Sequence, residues 1–283
     1  MSSNYTTEVA TSLYLNLLKK ILTRYTTPEN FAPYEARKGK IRKFFFSILK
    51  VLTGSKDLEI VRRLTFNPED RFEGRDRPTE ALTMIGIRRL DNIERCLVDV
   101  LNEGIPGDFI ETGVWRGGAC VFARAVLKAY GCTERKVWVA DSFKGLPSPN
   151  PKLFPLDVGC SLWNNPKLSI SLEEVKKNFA NFDLLDDQVQ FLVGWFCDTL
   201  PKAPIECLAV MRLDGDMYES TMDSLTYLYP KLSLGGYIII DDYFAPACRK
   251  AVEDYRNNNG ITDEIHTIDW SGVYWKKQKH VQM

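Results

Sequence analysis

Three turns that end in carboxylates carry the chemistry this sequence offers. In the first, the apolar run Asp108–Thr112 closes on Glu111 and passes through a glycine-rich turn into a helical pattern from about Gly118. Glycines let backbone approach a ligand closely, and such a turn lies at the carboxyl edge of a parallel sheet, where open α/β folds bind their ligands. The spacing is not G-x-G-x-x-G, because Glu111 precedes the first glycine. A carboxylate there repels a pyrophosphate and welcomes an ammonium group. S-adenosylmethionine has an ammonium and no phosphate, so Glu111, Thr112, Gly113, Arg116 and Gly117 are expected to hold its amino-acid end.

The second turn follows Val137–Ala140 and places Asp141 where the acid after a second strand accepts ribose hydroxyls. Ser142 and Phe143 would flank sugar and base, although an Asp at this point also serves simply to open a turn. After a third apolar run, Gly194, Trp195 and Phe196 offer flat surfaces for an adenine, or side chains for the core.

The third constellation joins Arg212–Thr221 to Ile238–Tyr243 and sets Asp214, Asp241 and Asp242 at the ends of two apolar runs. Converging carboxylates repel one another unless a cation neutralises them. Oxygen-only ligands suit Mg²⁺, which keeps positions for water or substrate, so these three are the expected ligands. Asp216 suits either the cap of a helix near Glu219 or the same metal. Neighbouring hydroxyls of a sugar or a catechol would complete the shell, and the metal would lower a hydroxyl's pKa and fix its angle to a methyl donor.

The elements that must position these turns divide the chain near residue 106. Upstream, the pattern predicts a helix over Ser12–Thr23 and a basic, aromatic helix over Lys38–Leu52 around Phe44, docked on its own core or on a sister subunit, with a membrane surface or another partner as the alternative. Asn67–Pro78 is expected to be a mobile loop. A long amphipathic helix is expected over Thr79–Asn102, with Thr79 as its cap. Downstream, strands at Asp108–Thr112, Lys136–Ala140, Val189–Val193, Leu208–Leu213 and Gly236–Ile240 alternate with helices, including one opened by Ser171 and Glu174 at capping-box spacing. A hairpin over Glu264–Asp269 and Val273–Lys276, turned at Ser271–Gly272, ends the pattern. The fold class is α/β: a doubly wound, Rossmann-like parallel sheet with an antiparallel C-terminal hairpin and a helical N-terminal extension. The division is 1–78 for the extension and 79–283 for the catalytic-type domain.

Composition removes several classes. The 37 basic and 37 acidic residues cancel, which leaves no electrostatic case for a nucleic-acid partner. No stretch approaches the roughly 20 apolar residues of a membrane span, and the first residues lack the apolar core of a signal peptide. Seven scattered cysteines without a C-x-x-C pair give no disulfide framework or zinc site, and point to a reducing, cytoplasmic setting.

Taken together these residues resemble the macrocin/mycinamicin-type O-methyltransferases, which methylate deoxysugar hydroxyls on macrolides and related natural products. The resemblance runs from Thr83–Asn92 through Glu111–Gly118, Ala140–Phe143, Leu185–Val189, Gly194–Phe196, Arg212–Asp216 and Asp241–Tyr243 to Pro246–Arg249 and Gly272–Trp275. It implies S-adenosylmethionine and Mg²⁺ as cofactors, a small glycosylated natural product as partner, and a homodimer or homotetramer whose N-terminal segments help shape neighbouring sites. It also implies that Thr83 and Met84 contact the methionine part of the cofactor. The family's macrolide-sugar members place a histidine in the loop after the Ala-Asp-Ser-Phe segment; here Pro147–Ile170 has none, and the only histidines are His266 and His280. That proline-rich loop is expected to be a substrate lid. Asp214 is then the candidate general base, with Asp157 or water as alternatives. Two other functions fit the residues less completely: O-methylation of a catechol or another non-macrolide hydroxyl, and a non-catalytic cofactor-binding protein, which would have no need of a metal triad.

Overall fold

The computed structural model describes the chain except residues 1, 35–43, 45–46, 50–59, 77 and 279–283. Its frame is a seven-stranded sheet in the order β5-β4-β3-β6-β7-β9-β8. The strands are β3 (Asp108–Thr112), β4 (Val137–Asp141), β5 (Val189–Val193), β6 (Leu208–Leu213), β7 (Leu232–Ile240), β8 (His266–Thr267) and β9 (Val273–Lys276). The first five run parallel, and β9 returns antiparallel along β7 with Val273 beside Ile240. Every residue of β6 is buried, as a strand covered on both faces requires.

Winding proceeds from β3 through β4 to β5 on one side and from β6 to β7 on the other. The switch point therefore lies between the carboxyl ends of β3 and β6, where Gly113 and Asp214 leave the sheet. Open α/β sheets offer their ligand crevice at that point.

One face is covered by α3 (Ile87–Asn102), α4 (Gly118–Ala129) and α5 (Leu172–Ala180), with α1 (Ser2–Leu22) packed against them through Leu15, Leu18 and Leu22. The other face is covered by α7 (Tyr218–Leu228) and α8 (Pro246–Asn258). Two short strands, β1 (Phe31–Pro33) and β2 (Val61–Arg63), pair antiparallel apart from the main sheet, and α6 (Phe196–Thr199) is a single turn after β5.

Ser171 caps α5 by accepting the Glu174 N–H at 3.1 Å. The long helix expected from Thr79 instead starts at Ile87, with Gly86 as N-cap. Tertiary partners take the polar groups of the preceding residues: Leu82 N–H donates to Leu22 C=O at 3.0 Å, Glu80 N–H to the Glu29 carboxylate at 2.9 Å, and Gly118 N–H to Leu82 C=O at 3.0 Å. A Cβ on Gly86 would overlap the backbone of Phe72 and Gly74, so the chain must cross there without a side chain. In place of the loop expected over Asn67–Pro78 there is a short helix, α2 (Pro68–Phe72), capped by Asn67. Its buried Arg71 donates to the carbonyls of Thr23 and Arg24 and pairs with Glu29 and Asp76. β7 begins four residues earlier than expected, and the hairpin's first strand shrinks to two residues. Most of the basic, aromatic segment expected over Lys38–Leu52 lies outside the described residues.

Candidate active site

The turn after β3 carries the tightest backbone approach in the site. Asp214 N–H donates to Thr112 C=O at 2.9 Å. Gly113 follows at φ +84°, and a Cβ there would overlap the Asp214 carbonyl oxygen. Only glycine tolerates both conditions. Thr112 is fully buried, and its hydroxyl oxygen lies 3.2 Å from Ser224 Oγ, which locks α7 to β3. At the edge so formed opens a cavity of about 250 Å³, partly open to solvent. Gly113 and Trp115 border it after β3, Asp141 and Ser142 after β4, and Gly194, Trp195 and Phe196 after β5. Asp214 and Asp216 border it after β6, and Met84 closes it from the segment before α3.

Asp141 uses both carboxylate oxygens on backbone. Oδ2 accepts Val114 N–H and Oδ1 accepts Phe143 N–H, each at 2.8 Å. Burial raises its pKa while these N–H groups oppose the shift, and Ser142 Oγ–H also donates to Oδ1, at 3.5 Å. Phe143 turns its ring inward to Phe191, with centroids 6.4 Å apart, and does not border the cavity.

The acids at the ends of β6 and β7 form two groups rather than the expected triad. Ligand oxygens of Asp214, Asp216 and Asp242 all lie within 4.8 Å of one another. Asp241 faces the other way: its carboxylate pairs with Arg212 through one oxygen and with Arg89 Nη1 at 2.7 Å through the other. Burial pushes Asp241 up, but the two guanidinium charges outweigh it and hold its carboxyl below the usual range. Asp214 is pushed up to about 6, by burial first and then by the Asp241 charge. Asp242 rises well above its ordinary value through burial and the charges of Asp216, Asp214 and Asp241. Three crowded acids therefore keep protons among themselves or take a cation. Their oxygen-only donor set fits Mg²⁺.

Arg212, 1% exposed, is the hub that the sequence did not reveal. Its guanidinium reaches Glu111, Asp214 and Asp241. Glu111 consequently lies beneath the cavity and does not border it: one oxygen meets Arg212, and the other accepts the Cys120 thiol at 2.7 Å. Arg116 also turns away, clasping the carbonyls of Thr79 and Ala81 at 2.8 and 2.9 Å. Gly117 is the αL cap of α4, with Val175 packed where a Cβ would stand. Thr83 is buried, accepting Ile85 N–H at 3.4 Å, while its neighbour Met84 faces the cavity.

Asp157 is a capping residue here. From the loop over 147–170 it accepts Tyr218 N–H at 2.7 Å and Glu219 N–H at 3.1 Å, and so caps α7. The buried Asp157 carboxylate thus takes a place at the helix start for which the sequence offered Asp216. The same loop sends Pro147 and Leu168 to the cavity wall beside Leu146, and Trp115 Nε1–H ties it down at Lys167 C=O, 2.8 Å away. Trp115 and Asp216 both sit at positive φ, 49° and 58°. Such strain in non-glycine residues gathers at functional sites. His266 lies in β8, half-exposed beside Glu264 and Tyr274, away from the cavity.

Comparison with known proteins finds sugar-type O-methyltransferases among the chain's relatives. Residues 11–277 match the family model of macrocin-O-methyltransferase. The chain is 53% identical over 221 residues to mycinamicin III 3''-O-methyltransferase of Micromonospora griseorubida, a match spanning 77% of this chain and 87% of that one. It is 48% identical over 271 residues to the 8-demethyl-8-(2,3-dimethoxy-alpha-L-rhamnosyl)-tetracenomycin-C 4'-O-methyltransferase of Streptomyces olivaceus, spanning 95% and 94%. The solved structure of the O-methyltransferase NovP superposes with a TM-score of 0.82 at 46% identity, over 95% of this chain and 100% of that one.

Proposed function

The chain belongs to the macrocin-O-methyltransferase family and is an O-methyltransferase; we propose that it moves the methyl group of S-adenosylmethionine to a hydroxyl of a (deoxy)sugar on a glycosylated secondary metabolite, with Mg²⁺ bound at the sheet edge. The observation that carries this reading is the carboxylate cluster of Asp214, Asp216 and Asp242 against a cavity at the switch point. The sugar acceptor is supported by the Streptomyces olivaceus relative, whose named substrate bears a rhamnosyl group.

Each residue then has a task. Asp141 receives the ribose hydroxyls, Trp195 and Phe196 flank the adenine, and Gly113 and Met84 border the methionine end. Glu111, through Arg212, holds the acids from beneath. Asp214 and Asp242 would be metal ligands, a role supported by the sequence pattern and by the clustering of their oxygens with Asp216. Asp216 supplies the third oxygen by proximity, whereas Asp241 is turned to its two arginines. Bound Mg²⁺ would lower the pKa of the acceptor hydroxyl. Asp214, which borders the cavity beside the proposed metal, would be the proton acceptor. Methyl transfer is an in-line displacement, so holding the two reactants in line supplies much of the rate. Residues 1–78 would contribute contacts to substrate and to a homodimer or homotetramer.

Calorimetry with Mg²⁺ or Mn²⁺ on single variants tests the metal assignment. Asp214→Asn and Asp242→Asn should lose metal binding and turnover, with S-adenosylhomocysteine affinity changed by less than about threefold. Asp216→Asn should lose metal more severely than Asp241→Asn; the reverse order would return the third ligand to Asp241. Metal-dependent turnover retained in Asp242→Asn would overturn the cluster.

A further inference from the structure

We propose that Trp115 is a positioning residue that transmits cofactor occupancy to the loop over 147–170, so that a bound S-adenosylmethionine steadies the loop at the cavity wall. The coupling rests on the cofactor reading of the cavity and says which side chain carries its effect outward. Trp115 sits in the turn after β3, where Gly117 N–H donates to Val114 C=O at 2.7 Å. Its φ of +49° is unfavourable for so bulky a residue, so the surroundings must hold it there. Three ties do so. Asp141 Oδ2 accepts Val114 N–H at 2.8 Å, and the Trp115 N–H also faces that carboxylate, lowering its pKa. The Arg116 guanidinium lies 4.4 Å from the centroid of the indole, an attractive cation–π contact. The indole N–H donates to Lys167 C=O at 2.8 Å.

Each tie leads to a different wall of the cavity. Asp141 borders it after β4. Arg116 is fixed on the carbonyls of Thr79 and Ala81, in the segment that runs on to Met84, which borders it from the other side. Lys167 precedes Leu168, which borders it from the loop. Trp115 itself borders the cavity between them. The loop presents its acceptor from a closed turn: Asn165 Oδ1 accepts Lys167 N–H at 3.1 Å, and Asn165 C=O accepts Leu168 N–H at 3.0 Å. Any adjustment of the Asp141 carboxylate to a ligand hydroxyl moves the Val114 N–H that it holds, and Trp115 is the next residue in the chain. A ligand lying between Asp141 and Met84 therefore restrains both supports of the indole. One hydrogen bond then passes that restraint to Lys167 and places Leu168 on the wall.

The test is amide hydrogen exchange over 147–170, without ligand and at saturating S-adenosylhomocysteine, in the native protein and in Trp115→Phe. Saturation keeps any change in affinity out of the comparison. In the native protein the ligand should slow exchange of the loop by roughly three- to tenfold, the scale of one net hydrogen bond. Trp115→Phe keeps a ring beside Arg116 and removes the N–H donor, so the ligand should slow the turn after β3 as before and leave the loop unslowed. Equal slowing of the loop in the variant would overturn the coupling. So would a loop loosened by the same factor with and without ligand, because Trp115 would then be a structural tie alone. A native loop indifferent to bound S-adenosylhomocysteine would overturn it without recourse to any variant. Failure of the native protein to bind S-adenosylhomocysteine would overturn the cofactor reading itself, and the coupling with it.

Discussion

Burial raises the Glu111 carboxyl to about 7 from its ordinary 4.5, although the Arg212 guanidinium beside it pulls the other way. The folded protein therefore keeps a proton on Glu111 that the unfolded chain releases above about 4.5. The stability this group contributes is fully present below that value and is lost as pH rises to about 7. Glu111→Gln should flatten this part of the profile: between pH 5 and 8, Tm of the native protein should fall relative to that of the variant. Parallel Tm profiles would contradict the assignment. Glu111 also marks what single residues disclose. An acid closing an apolar run is visible in the sequence as a site residue, and so are Asp141 and Asp214. Which way the Glu111 and Asp241 side chains turn is not visible. It depends on Arg212 and on Arg89, which meets Asp241 across 152 positions of sequence. No local pattern encodes that pairing.

Strands are the most legible elements, because continuous apolar runs ending in acids leave few alternatives. The segment over 79–86 is not legible: its amphipathic pattern continues that of α3, but its backbone groups are claimed by Leu22, Glu29 and Gly118 from distant parts of the chain. Prolines mark the loop over 147–170, while its anchor is hidden, since Asp157 caps a helix 61 residues downstream. Loss of a capping side chain costs about 1 kcal/mol. Asp157→Ala should therefore lower Tm by roughly 2–4 °C, on the scale for a chain of this size. It should also raise acceptor KM as the loop loosens, and leave the pH profile of kcat unchanged. A displaced pH profile in scanning kinetics would return Asp157 to the role of base.

Across the molecule, doubly wound topology gathers three turns separated widely in sequence at one sheet edge. The order β5-β4-β3-β6-β7 fixes where the crevice opens before any side chain is considered. Among the described residues no helix is long and apolar enough to cross a membrane. Everything proposed for the site depends on this edge transferring a methyl group from S-adenosylmethionine to a sugar hydroxyl with the help of a divalent cation. The deciding measurement is release of S-adenosylhomocysteine from the purified protein, over a panel of glycosylated natural products and simple catechols, in Mg²⁺ and then in EDTA. Turnover on a glycoside that EDTA abolishes and Mg²⁺ restores is the expected result. Turnover indifferent to EDTA, or confined to the catechols, would refute that transfer.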